Sequence, residues 1–329
     1  MKRFLARGAA IAAFTLQALT AHAAALPGPL VDSQWLADHL ADVQVVDVRG
    51  SAKSWTAAPE VETDAKTGKR KLVEVGGHIA GARLLEMGKL RGERQIAGQT
   101  VKYMIPEQAV FEKTVQAAGI DAGKPIVLVS TGTSAETMDE ALRAYWQFKV
   151  FGDDQVAVLN GGMADWLVAG RPVTTEAGAS RTGTWVATAD HSARYFASSD
   201  DVAKAAAAHS ATLVDARDSQ QYHGLSKRDY VFGYGHIEGA KQYAPDLMTK
   251  TEGGAVKLLS PATYRALMTA QGIDPSAPAI TYCNSGHLAA GPWFVLSEVL
   301  KNPNARLYDG SMHEWTLEKR PLAGAVPLQ

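Results

Sequence analysis

The chain has 329 residues, 46% of them hydrophobic and 20% charged, with a formal net charge of −1. That composition fits an ordinary globular protein with room for two domains, and the charge excludes the strongly basic balance of a nucleic-acid binder. The single cysteine, Cys283, excludes an internal disulfide.

In chain order, the first segment is a leader. Lys2, Arg3 and Arg7 precede an apolar run from Gly8 to Leu19, and Ala21-His22-Ala23 then supplies small residues at the spacing of a cleavage site. This is the layout of a secretory signal peptide over residues 1–23, cut near Ala23. The run is shorter than the roughly 20 residues of a membrane-spanning helix. Its removal takes away three cations and no acid, moving the formal charge from −1 to −4. The expectation is a soluble mature protein in a periplasm, with no membrane segment and no nucleic-acid partner. In an oxidising compartment, a lone cysteine is either an inert buried thiol or a reactive one kept single for its chemistry.

The rest of the chain carries one set of landmarks twice. Val45-Val46-Asp47-Val48-Arg49 answers to Leu213-Val214-Asp215-Ala216-Arg217, and Gly77-His78-Ile79-Ala80-Gly81-Ala82 to Gly235-His236-Ile237-Glu238-Gly239-Ala240. The apolar strand Ile126–Val129 answers to Ile280–Tyr282, and Leu159–Trp166 to Tyr308–Trp315. The offset shrinks from 168 residues to 149, which marks a duplicated domain with longer loops in its first copy. Helical stretches alternate with these strands: Pro106–Ala118 closed by Gly119, Ala135–Phe151 closed by Gly152, Ser260–Gln271 closed by Gly272, and Leu288–Leu300. The alternation predicts an α/β fold of two tandem domains, each a mainly parallel sheet flanked by helices. The first domain spans 28–172, a connector rich in Thr, Ala, Gly and Ser spans 173–183, and the second domain spans 184–329.

Cys283 follows the apolar strand Ala279–Tyr282 and opens the loop Asn284, Ser285, Gly286, His287, Leu288 ahead of a helix-forming run. Successive backbone N–H groups and the positive end of a helix favour negative charge at such a position, and Gly286 lets the chain curl around it. Counted from the strand start, the matching position in the first copy is Ser130, within Ser130-Thr131-Gly132-Thr133.

With both Asp-x-Arg pairs, both Gly-His-Ile-x-Gly-Ala motifs, the Cys283-x-x-Gly286 loop, and Asp309-Gly310-Ser311 with Trp315, the chain resembles the rhodanese family. The likeness is to the two-domain thiosulfate and 3-mercaptopyruvate sulfurtransferases, over nearly all of the mature chain. The resemblance implies a catalytic Cys283 that takes a sulfane sulfur from a small anionic donor, holds it as a persulfide and passes it to a thiol or cyanide acceptor, a protein acceptor being open as well. It implies no metal and no organic cofactor, and a first domain that is non-catalytic, since the serine hydroxyl of Ser130 without an activating base cannot form a persulfide. It makes Arg217 a contact for the donor anion, against the alternative of an Arg217–Asp215 structural pair at a strand end. His78 and His236 read as hydrogen-bonding turn residues, His287 as a pocket-lining residue, and Trp166 and Trp315 as core or cleft walls.

Two rival readings have discriminators. A rhodanese-fold phosphatase needs an arginine ending the cysteine loop, where this chain has Leu288 and Ala289. A persulfide carrier or redox-sensing binding protein would load once without cycling. On donor choice, Asn284 and Ser285 are neutral where thiosulfate-using relatives carry cations, and Gln221 stands where mercaptopyruvate-using relatives carry a second arginine. The expectation is modest efficiency with both donors and a slight preference for 3-mercaptopyruvate.

Overall fold

The computed structural model describes residues 25–178 and 180–324; the leader expected in residues 1–23 lies outside the described residues. The first unit runs β1 (Leu30–Val31), α1 (Ser33–Asp38), β2 (Gln44–Arg49), β3 (Glu60–Thr63), β4 (Arg70–Glu74), β5 (Arg83–Glu86), β6 (Gly92–Ile96), β7 (Gln99–Met104), α2 (Gln108–Ala117), β8 (Ile126–Val129), α3 (Ala135–Val150), β9 (Val156–Leu159) and α4 (Gly162–Val168). The second runs α5 (Ser192–Tyr195), β10 (Phe196–Ala197), α6 (Ser199–Ala208), β11 (Thr212–Asp215), α7 (Ser219–Tyr222), β12 (Lys241–Gln242), β13 (Thr249–Glu252), β14 (Ala255–Leu258), α8 (Pro261–Ala270), β15 (Ala279–Tyr282), α9 (Ala290–Phe294), β16 (Ala305–Tyr308) and α10 (Ser311–Leu317).

Each unit holds a five-stranded parallel sheet, in the orders β1-β9-β8-β2-β5 and β10-β16-β15-β11-β12. The two orders are the same topology, as the repeated landmarks predict. The central strands β8 and β15 are buried along their whole length, which is why they read as unbroken apolar runs. Among the described residues, no helix is long and apolar enough to cross a membrane.

The helices start and stop on chemistry written in the sequence. Ser134 caps α3 in a reciprocal capping box with Thr137, and Ser260 caps α8 ahead of Pro261. The run Leu288–Leu300 differs from its expectation of one helix. The chain first spends Asn284–Ala289 in a loop, then forms α9, then widens into a π turn over Val295–Val299 that ends with Leu300 N donating to Val295 O at 2.8 Å.

The units are fused rather than tethered. α3 is buried nearly all round because it packs on the first sheet with one face and on α9 with the other. Tyr145 meets Phe294 edge-on at 4.9 Å, and a single core cluster runs from Val46 and Phe148 into Trp293 and Leu296.

Each unit also lends a hairpin to the other. In β13–β14, Val256 N donates to Gly132 O at 2.9 Å and Leu258 N to Asn160 Oδ1 at 2.8 Å, both in the first unit. In the opposite direction β6–β7 leads into Ile105, whose N–H donates to Asp309 Oδ2 at 2.6 Å. Past the expected connector, the chain stays on the first unit. Trp185 N donates to Ile120 O at 3.1 Å, its ring packs edge-on to Phe148 at 5.3 Å, and Thr188 N reaches Phe151 O at 3.1 Å.

Candidate active site

Cys283 leaves β15 at the carboxyl end of the second sheet and is only 2% exposed. The loop that follows is held from below by Ser311. That hydroxyl accepts from Cys283 N at 3.0 Å and Gly286 N at 3.1 Å, while donating to Tyr308 O at 2.8 Å. Ser311 does this in the left-handed region, at φ +51°, a conformation that costs a non-glycine residue roughly 1–2 kcal/mol. Two backbone bonds fasten the loop to α10, Met312 N to Cys283 O at 3.1 Å and His313 N to Asn284 O at 2.9 Å. Gly286 sits at φ +73°, where an added Cβ would lie 2.3 Å from Asp309 Oδ1, so glycine alone fits. Among the described residues, the N–H groups of Asn284, Ser285, His287 and Leu288 meet no protein acceptor. A curled run of such donors is an anion cradle.

The first unit supplies cations to this loop, which the sequence did not reveal. Arg91 Nη2, at the start of the β6–β7 hairpin, donates to Ser285 O at 2.6 Å and Ser285 Oγ at 2.7 Å, and its guanidinium lies 4.8 Å from the Tyr103 ring. Burial, and then the neighbouring Arg143, push Arg91 below its usual range. Arg143, on α3, lies wholly buried beneath the loop, where Nη1 donates to Gly286 O at 2.9 Å and to Asp309 Oδ1 at 2.5 Å. The premise of a neutral loop therefore needs correction: Asn284 and Ser285 are neutral, but Arg91 sets a guanidinium directly on Ser285. Tyr230 approaches from the other side, its hydroxyl 3.4 Å from Ser285 Oγ.

The structure brings Arg217 to the same end of the sheet but shares it. Its Nε and Nη2 pair with Asp215, and Nη2 also donates to Gly235 O at 2.8 Å. Arg49 makes the twin arrangement with Asp47 and Gly77 O in the unit that lacks a cysteine, so the pair itself is a strand-end brace. The twins differ at Nη1. Arg49 Nη1 donates to Ser54 Oγ at 2.8 Å, whereas Arg217 Nη1 has no protein acceptor among the described residues.

The remaining candidates are engaged. Gln221 accepts from Asn284 Nδ2 at 2.7 Å and donates to Asp218, so its amide anchors the loop. His287 Nε2 lies 3.1 Å from Glu136 O, and burial pushes its imidazole down to about 4, leaving it neutral and suited to donate there. His78 and His236 stack on Trp55 and Tyr222 at 3.5 and 3.9 Å, the same turn role in both units. Trp166 and Trp315 are buried walls tied by their ring N–H to Pro172 O and Pro321 O. Among the described residues, no group of three or more His, Cys, Asp or Glu side chains is gathered as if for a metal.

The corresponding loop of the first unit is crossed by the β13–β14 hairpin, whose Val256 N donates to Gly132 O at 2.9 Å. Ser130 is buried with its hydroxyl against Met138 Sδ at 3.9 Å, and Gly162 stands where the second unit has Ser311. A Cβ on Gly132 would lie 2.1 Å from Gly161 O, a close approach like that of Gly286 to Asp309 in the second unit.

The rhodanese-like domain family matches residues 32–169 and 198–318. Sulfur carrier protein TtuD of Thermus thermophilus is 31% identical over 88% of this chain and 94% of its own length. Thiosulfate sulfurtransferase of Bos taurus is 28% identical over 87% of this chain and 91% of its own, and 3-mercaptopyruvate sulfurtransferase of Escherichia coli 27% over 87% and 94%. Among solved structures, the anaerobic ergothioneine biosynthesis enzyme from Chlorobium limicola superposes with a TM-score of 0.72 at 18% identity, over 91% of this chain and 71% of that one. At that identity the likeness is one of fold.

Proposed function

Since the chain belongs to the rhodanese family and is related to its two-domain sulfurtransferases, we propose that it moves a sulfane sulfur from a small anionic donor through a persulfide on Cys283. With thiosulfate, the Cys283 thiolate attacks the outer sulfur, a new S–S bond forms, and sulfite leaves with the electron pair of the broken bond. With 3-mercaptopyruvate the C–S bond breaks instead, and the proton of the donor thiol ends on the methyl group of pyruvate. An acceptor thiolate or cyanide then takes the outer sulfur and returns Cys283 as thiolate.

The observation that carries this reading is the loop of unpaired N–H groups beginning at the one cysteine, closed by a guanidinium from the other unit. Such donors, fixed in place before reaction, stabilise charge on a transferring sulfur without reorganising. In this reading Arg91 and the free Nη1 of Arg217 receive the donor anion, and the first unit is structural. In the same reading residues 1–23 act as a secretory leader and the activity belongs in a periplasm.

The relative named a sulfur carrier supports a second reading, in which Cys283 loads once and awaits a particular partner. Steady-state rates with thiosulfate and with 3-mercaptopyruvate, against a common thiol acceptor, separate the two. Many turnovers per cysteine, lost in Cys283→Ser, support the enzyme; a single stoichiometric transfer supports the carrier; no sulfur movement with either donor defeats both.

A further inference from the structure

Between α7 and β12 the second unit makes a closed loop over residues 224–235. Its ends touch, since a Cβ on Gly224 would lie 3.2 Å from Gly235 N, which is the form of an Ω-loop. Of its inward side chains, Tyr230 reaches Ser285 in the candidate site and Val231 is fully buried in the core of the second unit. Its outward ones are apolar and open. Leu225, Phe232 and Tyr234 are 50%, 60% and 50% exposed, and Phe232 is the most open large hydrophobic residue among those described.

Cations surround them. Lys227 lies 5.6 Å from the Tyr234 ring, Arg228 is exposed at the tip, and Lys102 on β7 is within electrostatic reach of His313, against which Phe232 packs at 6.2 Å. Asp229 is the one acid in the loop itself. On a chain of formal charge −1, this rim is locally positive. The first unit builds nothing similar, because its matching stretch forms the β3–β4 hairpin packed on Gly253.

We propose that this loop is the docking surface for an acidic protein that accepts the sulfur on a thiol of its own, an inference that rests on the persulfide reading above. A small thiol needs no aromatic rim, and a membrane laid on the loop would cover the approach beside Ser285. An acidic partner with an apolar anchor matches both features of the rim. Because Cys283 is buried, the partner presents its thiol on a projecting segment. Its thiolate attacks the outer persulfide sulfur, the new S–S bond forms on the partner, and the bond to Cys283 breaks with its electrons returning to Cys283.

The test loads the full-length protein with thiosulfate and measures kcat/KM for three reduced thiols. These are dithiothreitol, a short peptide with one cysteine among glutamates and a leucine, and the same peptide with lysines replacing the glutamates. The acidic peptide is expected to exceed the basic one by roughly tenfold at low salt, the gap shrinking to under about threefold near 0.5 M salt. Arg228→Glu combined with Phe232→Ser and Tyr234→Ser should erase that gap while dithiothreitol rates stay within about twofold. Equal rates for the two peptides, a gap that survives in the variant, or loss of dithiothreitol turnover in the variant overturns the proposal. So does binding of the wild type, but not the variant, to phosphatidylglycerol vesicles, which would assign the loop to a membrane. Absence of dithiothreitol turnover in the wild type is distinguishable from all of these and removes the sulfurtransferase reading together with its partner.

Discussion

At Ser285 two side chains from remote segments meet, Arg91 from the first unit and Tyr230 from the second. A hydrogen bond to a charged group contributes on the order of 1.5–3 kcal/mol, so Arg91→Ala should lower donor kcat/KM roughly tenfold to a hundredfold, with Arg91→Lys recovering part of the loss. Unchanged donor kinetics in Arg91→Ala would remove Arg91 from the site. The same contact warns against adding positive charge by Ser285→Lys, which would set an ammonium against the guanidinium already there. Glu140 tests electrostatics away from the chemistry. Its carboxyl accepts from Gly50 N at 2.8 Å, and burial pushes it from 4.5 up to about 7. Between those values the folded chain keeps a proton the unfolded chain has lost, so stability falls as pH rises through that window and levels off above it. Glu140→Gln should therefore raise the melting temperature at pH 8, by the equivalent of about 2 kcal/mol, and change it little at pH 5. An equal shift at both values would contradict this.

Among the elements, the two cysteine-position loops share a scaffold and differ in what surrounds them. Met163 N donates to Ser130 O just as Met312 N donates to Cys283 O, yet β14 crosses the first loop at Gly132 and Gly162 supplies no hydroxyl in the place of Ser311. Ser130→Cys placed in a Cys283→Ser background is accordingly expected to carry no sulfur after donor treatment, and Ser130→Ala alone to leave activity nearly unchanged. Persulfide on residue 130 would show that the first loop is a working cradle. The strands and the duplicated turns were legible in the sequence because buried parallel strands read as apolar runs, and because two copies of one motif check each other. The cysteine loop was legible from its place between them. Arg91 and Arg143 were not: they meet their loop partners across 194 and 143 residues of chain, through packing of one unit on the other that no local periodicity encodes. Gln221 was legible as a departure, but its engagement with Asn284 was not.

For the whole molecule, the exchange of hairpins and the core shared by α3 and α9 make the first unit part of the candidate site in the second. Separating the units would expose Trp146, which packs on Phe196, and Trp293 and Phe294, which pack on Tyr145, all three fully buried. Thermal unfolding by calorimetry is therefore expected as one cooperative transition, with calorimetric and van't Hoff enthalpies in agreement; two resolved transitions would show that the units stand alone. The central claim is that sulfur passes through Cys283, and intact-protein mass spectrometry tests it most directly. After treatment with thiosulfate or 3-mercaptopyruvate, the wild type should gain the mass of one sulfur atom, on Cys283, and lose it when a thiol acceptor is added. Cys283→Ser should gain nothing. No added sulfur on the wild type with either donor, or an adduct that persists in Cys283→Ser, would contradict the account.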